Sequence, residues 1–278
     1  MRKCGSTHCS LLGTHCYDLP VATLTFLGTG TSTGVPMIGR ISRASMSVDP
    51  RDRRTRCSVW VRFADGTDLL IDTSPELRLQ ALAVGMTHVD AVLFTHAHAD
   101  HTAGLDDMRA FNSLQQAEIP VYADAGVEAA FHQRFAYIFD EPRLPFYGGK
   151  PALTLHRIDG PFAIDGHEIV PVRVPHGRTT VLGFRFGRFA YVTDAAVVPA
   201  ESRDLLRGLD VLVLNALRER PHPVHLSISE ALEVIDDLQP ARAYLTHMSD
   251  DVLHAEDDAK LPPGVHFAYD GLRLEIGE

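Results

Sequence analysis

The stretch Thr95-His96-Ala97-His98-Ala99-Asp100-His101 places three histidines and one carboxylate in a single short segment. Imidazole nitrogens and carboxylate oxygens are donors that Zn²⁺, Mn²⁺ and Fe²⁺ accept. One ion cannot easily use four donors from so short a loop. The spacing therefore predicts two ions, one held by His96 and His98 and the other by Asp100 and His101.

Other ligand-type residues follow apolar runs that are typical of buried strands. Residues 91–95 lead to His96, residues 168–175 to His176, residues 188–193 to Asp194, residues 243–246 to His247, and residues 68–71 to Asp72. Functional residues gather on loops that a rigid scaffold holds in place. If these strands run in compatible directions, the donors meet along one edge of packed sheets.

We predict two sets of metal ligands around a shared carboxylate. The sets are His96, His98 and His176 for one ion and Asp100, His101 and His247 for the other, with Asp194 bridging both. Asp72 is better placed behind the ligands, as a carboxylate that orients the metal loop. Two ions about 3.5–4 Å apart activate a shared water and clamp attacking and leaving oxygens. The predicted cofactors are two divalent ions, zinc or manganese.

Composition limits the class of protein. The 278 residues include 45% hydrophobic residues, which suits one full-sized core, and the formal net charge is −10. That charge argues against extended contact with nucleic acid, which needs clusters of lysine and arginine. No apolar run is long enough to span a membrane, and no signal peptide is recognisable, so we expect a cytoplasmic protein.

The first twenty residues differ from the rest. They are polar and hold Cys4, Cys9 and Cys16 with His8 and His15, but no C-x-x-C pair. We favour a reduced, disordered N-terminal extension over 1–20, with a small metal site as the alternative, and one domain over 21–278.

Local patterns predict several elements near the ligands. The glycines of residues 28–36 do not match a dinucleotide loop, so we expect a tight loop bordering the active site. The other predictions are a hairpin over 57–63 and 68–71, a helix over 127–139, a surface excursion over 140–152, a helix over 228–238 capped by Ser227 and Glu230, and a closing hairpin of 265–269 and 272–276 across Asp270-Gly271.

With these residues the chain resembles the metallo-β-lactamase-fold hydrolases. The H-x-H-x-D-H motif with the later His, Asp and His is the signature of that superfamily. Residues 28–36 and Pro223-Val224-His225-Leu226-Ser227 resemble its phosphodiesterase branch, which includes 5-phosphoribosyl 1,2-cyclic phosphate phosphodiesterase, with tRNase Z and the pyrroloquinoline quinone biosynthesis protein B as relatives. The resemblance covers residues 22–276. It implies an α/β fold, a four-layer αββα sandwich of two sheets with helices outside.

The chain departs from this branch at one place. Relatives hold a structural zinc with three cysteines and a histidine, whereas the corresponding residues here are Arg40, Ser42, Ser45 and Asp250. None can supply a thiolate or an imidazole. We expect no structural zinc, and we expect the loop over 39–56 to be held by other contacts or to be mobile.

The resemblance implies a binuclear metal-dependent phosphodiesterase. Its substrate would be a small phosphodiester, cyclic ones included, attacked by a hydroxide shared between the ions. We assign catalytic roles to Asp100 and to His225, the latter as general acid or as a phosphate-binding residue, because His225 lies just before a capped helix N-terminus, where anions bind readily.

Three alternatives stay open. A tRNA 3′-processing endoribonuclease needs a basic arm, but residues 140–152 carry Arg143 and Lys150 against Asp140 and Glu141. An acyl, thioester or lactam hydrolase is compatible with a bridging Asp194 but leaves His225 without a task. A non-catalytic binding protein usually lacks a ligand, and none is missing. The expected partners are a small substrate and, as an open possibility, a second copy in a homodimer; we expect no extended nucleic acid contact and no membrane.

Overall fold

The structure is a computed structural model that describes residues 21–140 and 149–277. The predicted extension over 1–20 and most of the predicted excursion over 140–152 lie outside these residues. Within them, no helix is both long and apolar enough to cross a bilayer.

The described residues form two seven-stranded sheets. The strands are β1 (Val21–Gly28), β2 (Ser58–Arg62), β3 (Asp68–Ile71), β4 (Ala91–Leu93), β5 (Ile119–Ala123), β6 (Leu153–Arg157), β7 (Phe162–Ile164), β8 (His167–His176), β9 (Thr179–Phe186), β10 (Phe189–Val192), β11 (Val211–Asn215), β12 (Arg242–Thr246), β13 (Val265–Phe267) and β14 (Arg273–Gly277). The first sheet has the order β14-β1-β2-β3-β4-β5-β6 and the second β13-β12-β11-β10-β9-β8-β7.

Helices follow the strands in both halves of the chain. They are α1 (Arg43–Met46), α2 (Leu77–Val84), α3 (Ala99–Thr102), α4 (Met108–Gln115), α5 (Ala125–Arg134), α6 (Ala136–Phe139), α7 (Ala200–Leu205), α8 (Ile228–Leu238) and α9 (His254–Asp258), with 3₁₀ turns at Pro50–Asp52 and Leu105–Asp107. The predicted capping box is present, since the Ser227 hydroxyl accepts from the Glu230 amide and the Glu230 side chain accepts from the Ser227 amide.

Alternate residues of each strand pack on opposite sides of its sheet, which explains the continuous apolar runs. In β3, Leu69 and Ile71 join the core between the sheets, while Leu70 packs with the outer helices. In β11, Val213 faces the same central core and Leu212 packs in the cluster under α8. This is the predicted four-layer αββα arrangement.

The predicted hairpin at the C-terminal end is wrong. Strand β13 pairs in parallel with β12 of the second sheet, whereas β14 pairs antiparallel with β1 of the first. The Asp270 carboxylate lies at the predicted turn. It accepts hydrogen bonds from the Thr29 hydroxyl (2.8 Å) and from the amide and hydroxyl of Thr55 (2.7 and 2.6 Å). Asp270-Gly271 therefore anchors a crossover between the sheets instead of a local turn.

The single helix predicted over 127–139 is also wrong. The chain leaves helical geometry at Phe135, with φ −121° and ψ 33°, which separates α5 from α6. With this break the Phe139 ring stacks on Phe131, the ring centroids being 5.5 Å apart. The predicted hairpin over 57–63 and 68–71 is confirmed as β2 and β3.

Candidate metal centre

The predicted ligands meet where strands of both sheets end. Strands β10, β11 and β12 are mutually parallel, and β8 runs in the same direction because both β8 and β10 are antiparallel to β9. His176, Asp194 and His247 are therefore presented at one edge of the second sheet. The first sheet supplies the segment after β4, which enters α3 so that Asp100 and His101 lie in its first turn.

Three residues at this edge adopt the left-handed backbone region without being glycine. They are Asp72, Asp194 and His247, with φ of 62°, 58° and 62°. Such residues are strained by about 1–3 kcal/mol each and persist only where the surroundings fix them. Strain at three strand ends that converge on one point is typical of a functional site.

The ligand atoms fall into the two predicted sets. Those of His96, His98 and His176 lie within 4.8 Å of one another, as do those of Asp100, His101 and His247. Asp194 lies next to the second set, its Oδ2 being 3.3 Å from His101 Nε2 and its Oδ1 3.1 Å from His247 Nε2. It also groups with His96 and His101, so its carboxylate reaches both sets.

Hydrogen bonds behind the centre fix the orientation of three imidazoles. Asp72 Oδ2 accepts from His101 Nδ1 (2.6 Å) and from the Thr95 hydroxyl (2.7 Å), while Asp72 Oδ1 accepts from the Thr95 amide (2.8 Å). Because that hydroxyl gives its hydrogen to Asp72, its oxygen accepts from His96 Nδ1 at 3.0 Å. His176 Nδ1 donates to the Val224 carbonyl at 2.8 Å. In each case Nε2 is the ring nitrogen left to bind an ion, which it does once it is deprotonated.

Several buried nitrogens have no hydrogen-bond partner among the described residues. At the centre they include Nε2 of His96, Nε2 of His101, Nδ1 of His225 and both ring nitrogens of His247. A buried polar atom without a partner costs about 1–3 kcal/mol. The Nε2 atoms of His101 and His247 lie beside the Asp194 carboxylate, and this set of donors fits divalent metal ions.

Electrostatics keep the carboxylates of the centre ionised. Burial acts to raise the pKa of Asp194, but the charges of His247 and His101 hold it well below its usual range. The pKa of Asp100 is also lowered, because its interaction with His101 outweighs burial. For His96, burial and then the charge of His101 lower the pKa well below the usual value, so this imidazole is neutral, the form that binds a metal ion.

His225 lies against the centre and not in an exposed loop. It is 8% exposed, its Nδ1 is 3.7 Å from Asp194 Oδ1, and its ring stacks on His247 with centroids 4.6 Å apart. Burial, followed by the charge of His247, lowers its pKa to about 3. His225 also forms a ligand-type group with His176 and Asp194, a second possible role that the sequence did not indicate.

Other contacts hold the loop over 39–56. Arg40 Nε lies 3.0 Å from Asp250 Oδ2, so an ion pair joins two of the positions that bind zinc in relatives. Ser42 and Ser45 form the capping box of α1. These contacts agree with the first of the two predicted outcomes, a loop held by other contacts.

Threonines next to the ligands were missed by the sequence reasoning. Thr95 links Asp72 to His96, and the Thr193 hydroxyl donates to Asp194 Oδ2 at 2.7 Å. The signal was present, since a threonine directly precedes His96, Asp194 and His247 at three strand ends.

Comparison with known proteins gives the family. The beta-lactamase superfamily domain matches residues 67–248. A diphosphatase from the PhnP family, known from a crystal structure, is 41% identical in sequence to this chain. The two structures superpose with a TM-score of 0.85 over 93% of this chain and 99% of that one. Zn²⁺-bound PqqB from Methylobacterium extorquens is 19% identical, with a TM-score of 0.73 over 91% of this chain and 99% of that one, and shows the shared fold alone.

A curated relative adds a different name. The octanoyltransferase of Porphyromonas gingivalis (strain ATCC BAA-308 / W83) is 40% identical over 256 residues, which is 91% of this chain and 51% of that protein. This chain thus spans about half the length of the curated relative. The superfamily match and the 41% identical structure lead to one conclusion: the chain belongs to the beta-lactamase superfamily, as a metallo-β-lactamase-fold protein of the PhnP family.

Proposed function

We propose that this protein is a binuclear metal-dependent hydrolase that cleaves a P–O bond in a small phosphodiester, cyclic ones included. The observation that carries the proposal is the pair of three-residue ligand sets on either side of Asp194, with His225 beside them. The relative described as a diphosphatase, at 41% identity, supports phosphoryl chemistry.

His96, His98 and His176 would hold one ion, Asp100, His101 and His247 the other, and Asp194 both. Bound divalent ions supply a water of lowered pKa and neutralise charge on the phosphoryl oxygens. Zinc and manganese both accept this mixture of imidazole and carboxylate donors. Asp72 keeps the His101 ring oriented, since its carboxylate accepts the Nδ1 proton.

His225 is the proposed proton donor to the leaving oxygen. Because its pKa is lowered, the His225 imidazole is neutral in the ion-free protein. A phosphate anion bound beside the ring favours the protonated form, because an opposite charge raises the pKa of a histidine. Asp100 is ionised at neutral pH and cannot donate a proton, so its proposed role is that of a ligand that stays charged.

The proposal predicts a specific outcome for His225→Ala. We expect the variant to keep two ions per chain and to lose kcat by roughly 10²- to 10⁴-fold, the usual contribution of a general acid. His266, which is exposed on β13, offers a matched control, and His266→Ala should leave kcat unchanged. A His225→Ala variant with full activity would remove this residue from the mechanism.

A substrate panel tests the reaction class. Cyclic ribose phosphates, 2′,3′-cyclic nucleotides, bis(p-nitrophenyl) phosphate and a dinucleoside diphosphate are assayed with Mn²⁺ and Zn²⁺ separately. The name of the Porphyromonas gingivalis relative favours acyl chemistry as a second candidate, so an octanoyl thioester belongs in the panel. Turnover of the thioester alone would overturn the phosphodiesterase proposal.

tRNA processing stays the weaker alternative. The net charge of −10 disfavours contact with a polyanion, and filter binding with tRNA at low salt checks this directly.

The homodimer stays a prediction, which sedimentation velocity at micromolar concentration tests.

A further inference from the structure

The helical layer outside the first sheet carries an apolar groove between α2 and α4. The groove has a volume of about 320 Å³, and its lining includes Leu82, Met86, Phe111 and Leu114. Met86 and Phe111 are buried, whereas Leu82 and Leu114 are each 67% exposed. Large apolar side chains that are exposed together beside one groove are typical of a surface that contacts another molecule.

One charge of each sign borders the same groove. Arg78 on α2 and Asp107 directly before α4 both line it. Neither side chain has an ion-pair or hydrogen-bond partner within residues 21–140 and 149–277, so the two do not pair with each other. Both charges are therefore available to a molecule that docks on the groove.

The strand directions place these two charges at the same end of the groove. Strands β3, β4 and β5 are parallel, so α2 and α4, which lie in the connections between them, both run back across the sheet. Both helices begin at the edge of the sheet that carries the metal centre. Arg78 lies in the first turn of α2 and Asp107 is the N-cap residue of α4, so each wall of the groove carries one charge at this end.

Backbone contacts fix the two walls relative to each other. The Thr73 amide donates to the His101 carbonyl at 2.8 Å, and the Gly104 amide donates to the Thr73 carbonyl at 3.0 Å. A Cβ on Gly104 would come within 2.0 Å of the Ser74 carbonyl oxygen, so the segments that lead into α2 and α4 are in direct contact. The groove is therefore a preformed surface, and a partner can dock without first ordering it.

A surface that binds its own copy about a two-fold axis must be complementary to itself. An axis that runs along the groove places α2 of each copy on α4 of the other, because these helices form the two walls. Each Arg78 then lies level with Asp107 of the second copy, and the exposed leucines are buried between the copies. We propose that this groove is the interface of a two-fold symmetric homodimer, with an ion pair between Arg78 and Asp107 formed twice across it.

The charges of the groove favour a second copy over a membrane surface. Exposed apolar side chains that bind membranes are usually accompanied by clusters of lysine and arginine, which anionic lipids attract. The groove is lined by one cation and one anion, in a chain of net charge −10. One charge of each sign beside an apolar centre is what a self-complementary interface requires.

A second exposed apolar surface lies on the loop over 39–56, where Ile41 is 84% exposed. The charges beside it are already paired within the chain, Arg40 with Asp250 and Arg43 with Glu256. This loop therefore lacks the feature that favours self-association of the groove. It offers a control position of the same chemical character.

Charge reversal tests the proposed contacts by sedimentation velocity of the full chain at low salt, without relying on activity. The wild type should be dimeric at micromolar concentration. Arg78→Glu and Asp107→Lys should each raise the dissociation constant of the dimer by at least about 10-fold, since each places like charges together twice in the interface. The variant that carries both changes restores opposite charges and should recover the wild-type constant to within about threefold.

A charge in the apolar part of the groove gives an independent test. Leu114→Glu should raise the dissociation constant by at least about 100-fold, because a buried carboxylate replaces an apolar contact at the centre of the interface. Leu82→Glu repeats the test on the other wall if Leu114→Glu alters the fold, which circular dichroism checks. Ile41→Glu is the matched control and should change the constant by less than about twofold.

Several results would overturn the interface. A wild type that stays monomeric would leave the groove to a different protein. A dimer that tolerates Leu114→Glu or the single charge reversals, or that is not recovered by the double reversal, would show that other residues form it. A loss in Ile41→Glu as large as that in Leu114→Glu would assign the interface to the loop over 39–56. Because none of these measurements uses a substrate, their outcome is independent of whether the protein hydrolyses phosphodiesters.

Discussion

Asp72→Asn removes the carboxylate behind the metal centre with almost no change in volume. Asp72 accepts three hydrogen bonds, two from Thr95 and one from His101 Nδ1, and an asparagine has only one oxygen to accept them. If that oxygen keeps its hydrogen bond from the Thr95 amide, the new NH₂ group faces His101 Nδ1. Because an NH₂ group donates a hydrogen bond, it favours the His101 tautomer with the proton on Nε2, the atom that lies 3.3 Å from both Asp100 and Asp194. The variant therefore protonates the nitrogen that should bind the ion.

The magnitude follows from the lost hydrogen bond. A hydrogen bond to a charged group contributes about 1.5–3 kcal/mol, and partners behind a metal ligand usually change affinity by about 10- to 100-fold. We expect Asp72→Asn to weaken the ion at Asp100, His101 and His247 by that factor. The ion at His96, His98 and His176 should be affected less, since Asp72 reaches His96 only through the Thr95 hydroxyl.

Competition with a fluorescent chelator at pH 7.5 resolves the two binding steps. Glu233→Gln, at an exposed position of α8, makes the same change of charge and should leave both affinities as in the wild type. Circular dichroism checks that the fold is kept. If Asp72→Asn binds both ions with wild-type affinity, the hydrogen bond to His101 does not set its tautomer and this reasoning is refuted.

Three further predictions follow from buried groups. Asp52→Ala leaves the fully buried Arg54 without the carboxylate that lies 2.9 Å away, and it should lower the free energy of unfolding by about 3–5 kcal/mol. Arg51→Ala breaks the more exposed pair with Asp49 and should cost less than about 1 kcal/mol. Urea titration compares the two variants. Burial raises the pKa of Cys57 to about 12, so mass spectrometry after iodoacetamide treatment at pH 8 should find this thiol unmodified until the protein is unfolded; rapid native alkylation would contradict its burial. Metal ligands must be deprotonated to bind, so metal content after dialysis should fall as the pH is lowered, and a content that is independent of pH down to about 4 would argue against imidazole ligands.

The gathering of the ligands was predictable because of how sheets are built. His176 ends β8, while Asp194 and His247 come just after β10 and β12. These strands run in the same direction and end at the same edge, so residues far apart along the chain lie close together in space. The continuous apolar character of β11 and β12 indicates strands covered on both faces, which is the signature of a layered sandwich.

The errors have one physical cause, namely that local patterns do not reveal partners that are distant in sequence. Asp270-Gly271 has the composition of a tight turn, but Thr29 and Thr55 bind the Asp270 side chain and separate the flanking strands into two sheets. The helix over 127–139 has an unbroken apolar pattern, yet it ends where the phenylalanine rings pack against each other.

The proximity of the candidate ligands was predictable from the sequence, whereas the hydrogen bonds that orient them were not. The Asp72–Thr95–His96 chain of hydrogen bonds depends on the spacing of two strands, β3 and β4, which the sequence does not give. The burial of His225 likewise depends on how one loop folds against the sheet edge.

Anomalous scattering from crystals grown with zinc tests the central claim most directly. Two peaks should occur per chain, about 3.5–4 Å apart, as in binuclear hydrolytic sites. One peak should lie against His96, His98 and His176 and the other against Asp100, His101 and His247, with Asp194 between them. A single peak, or peaks at residues outside these sets, would contradict the binuclear centre on which the account rests.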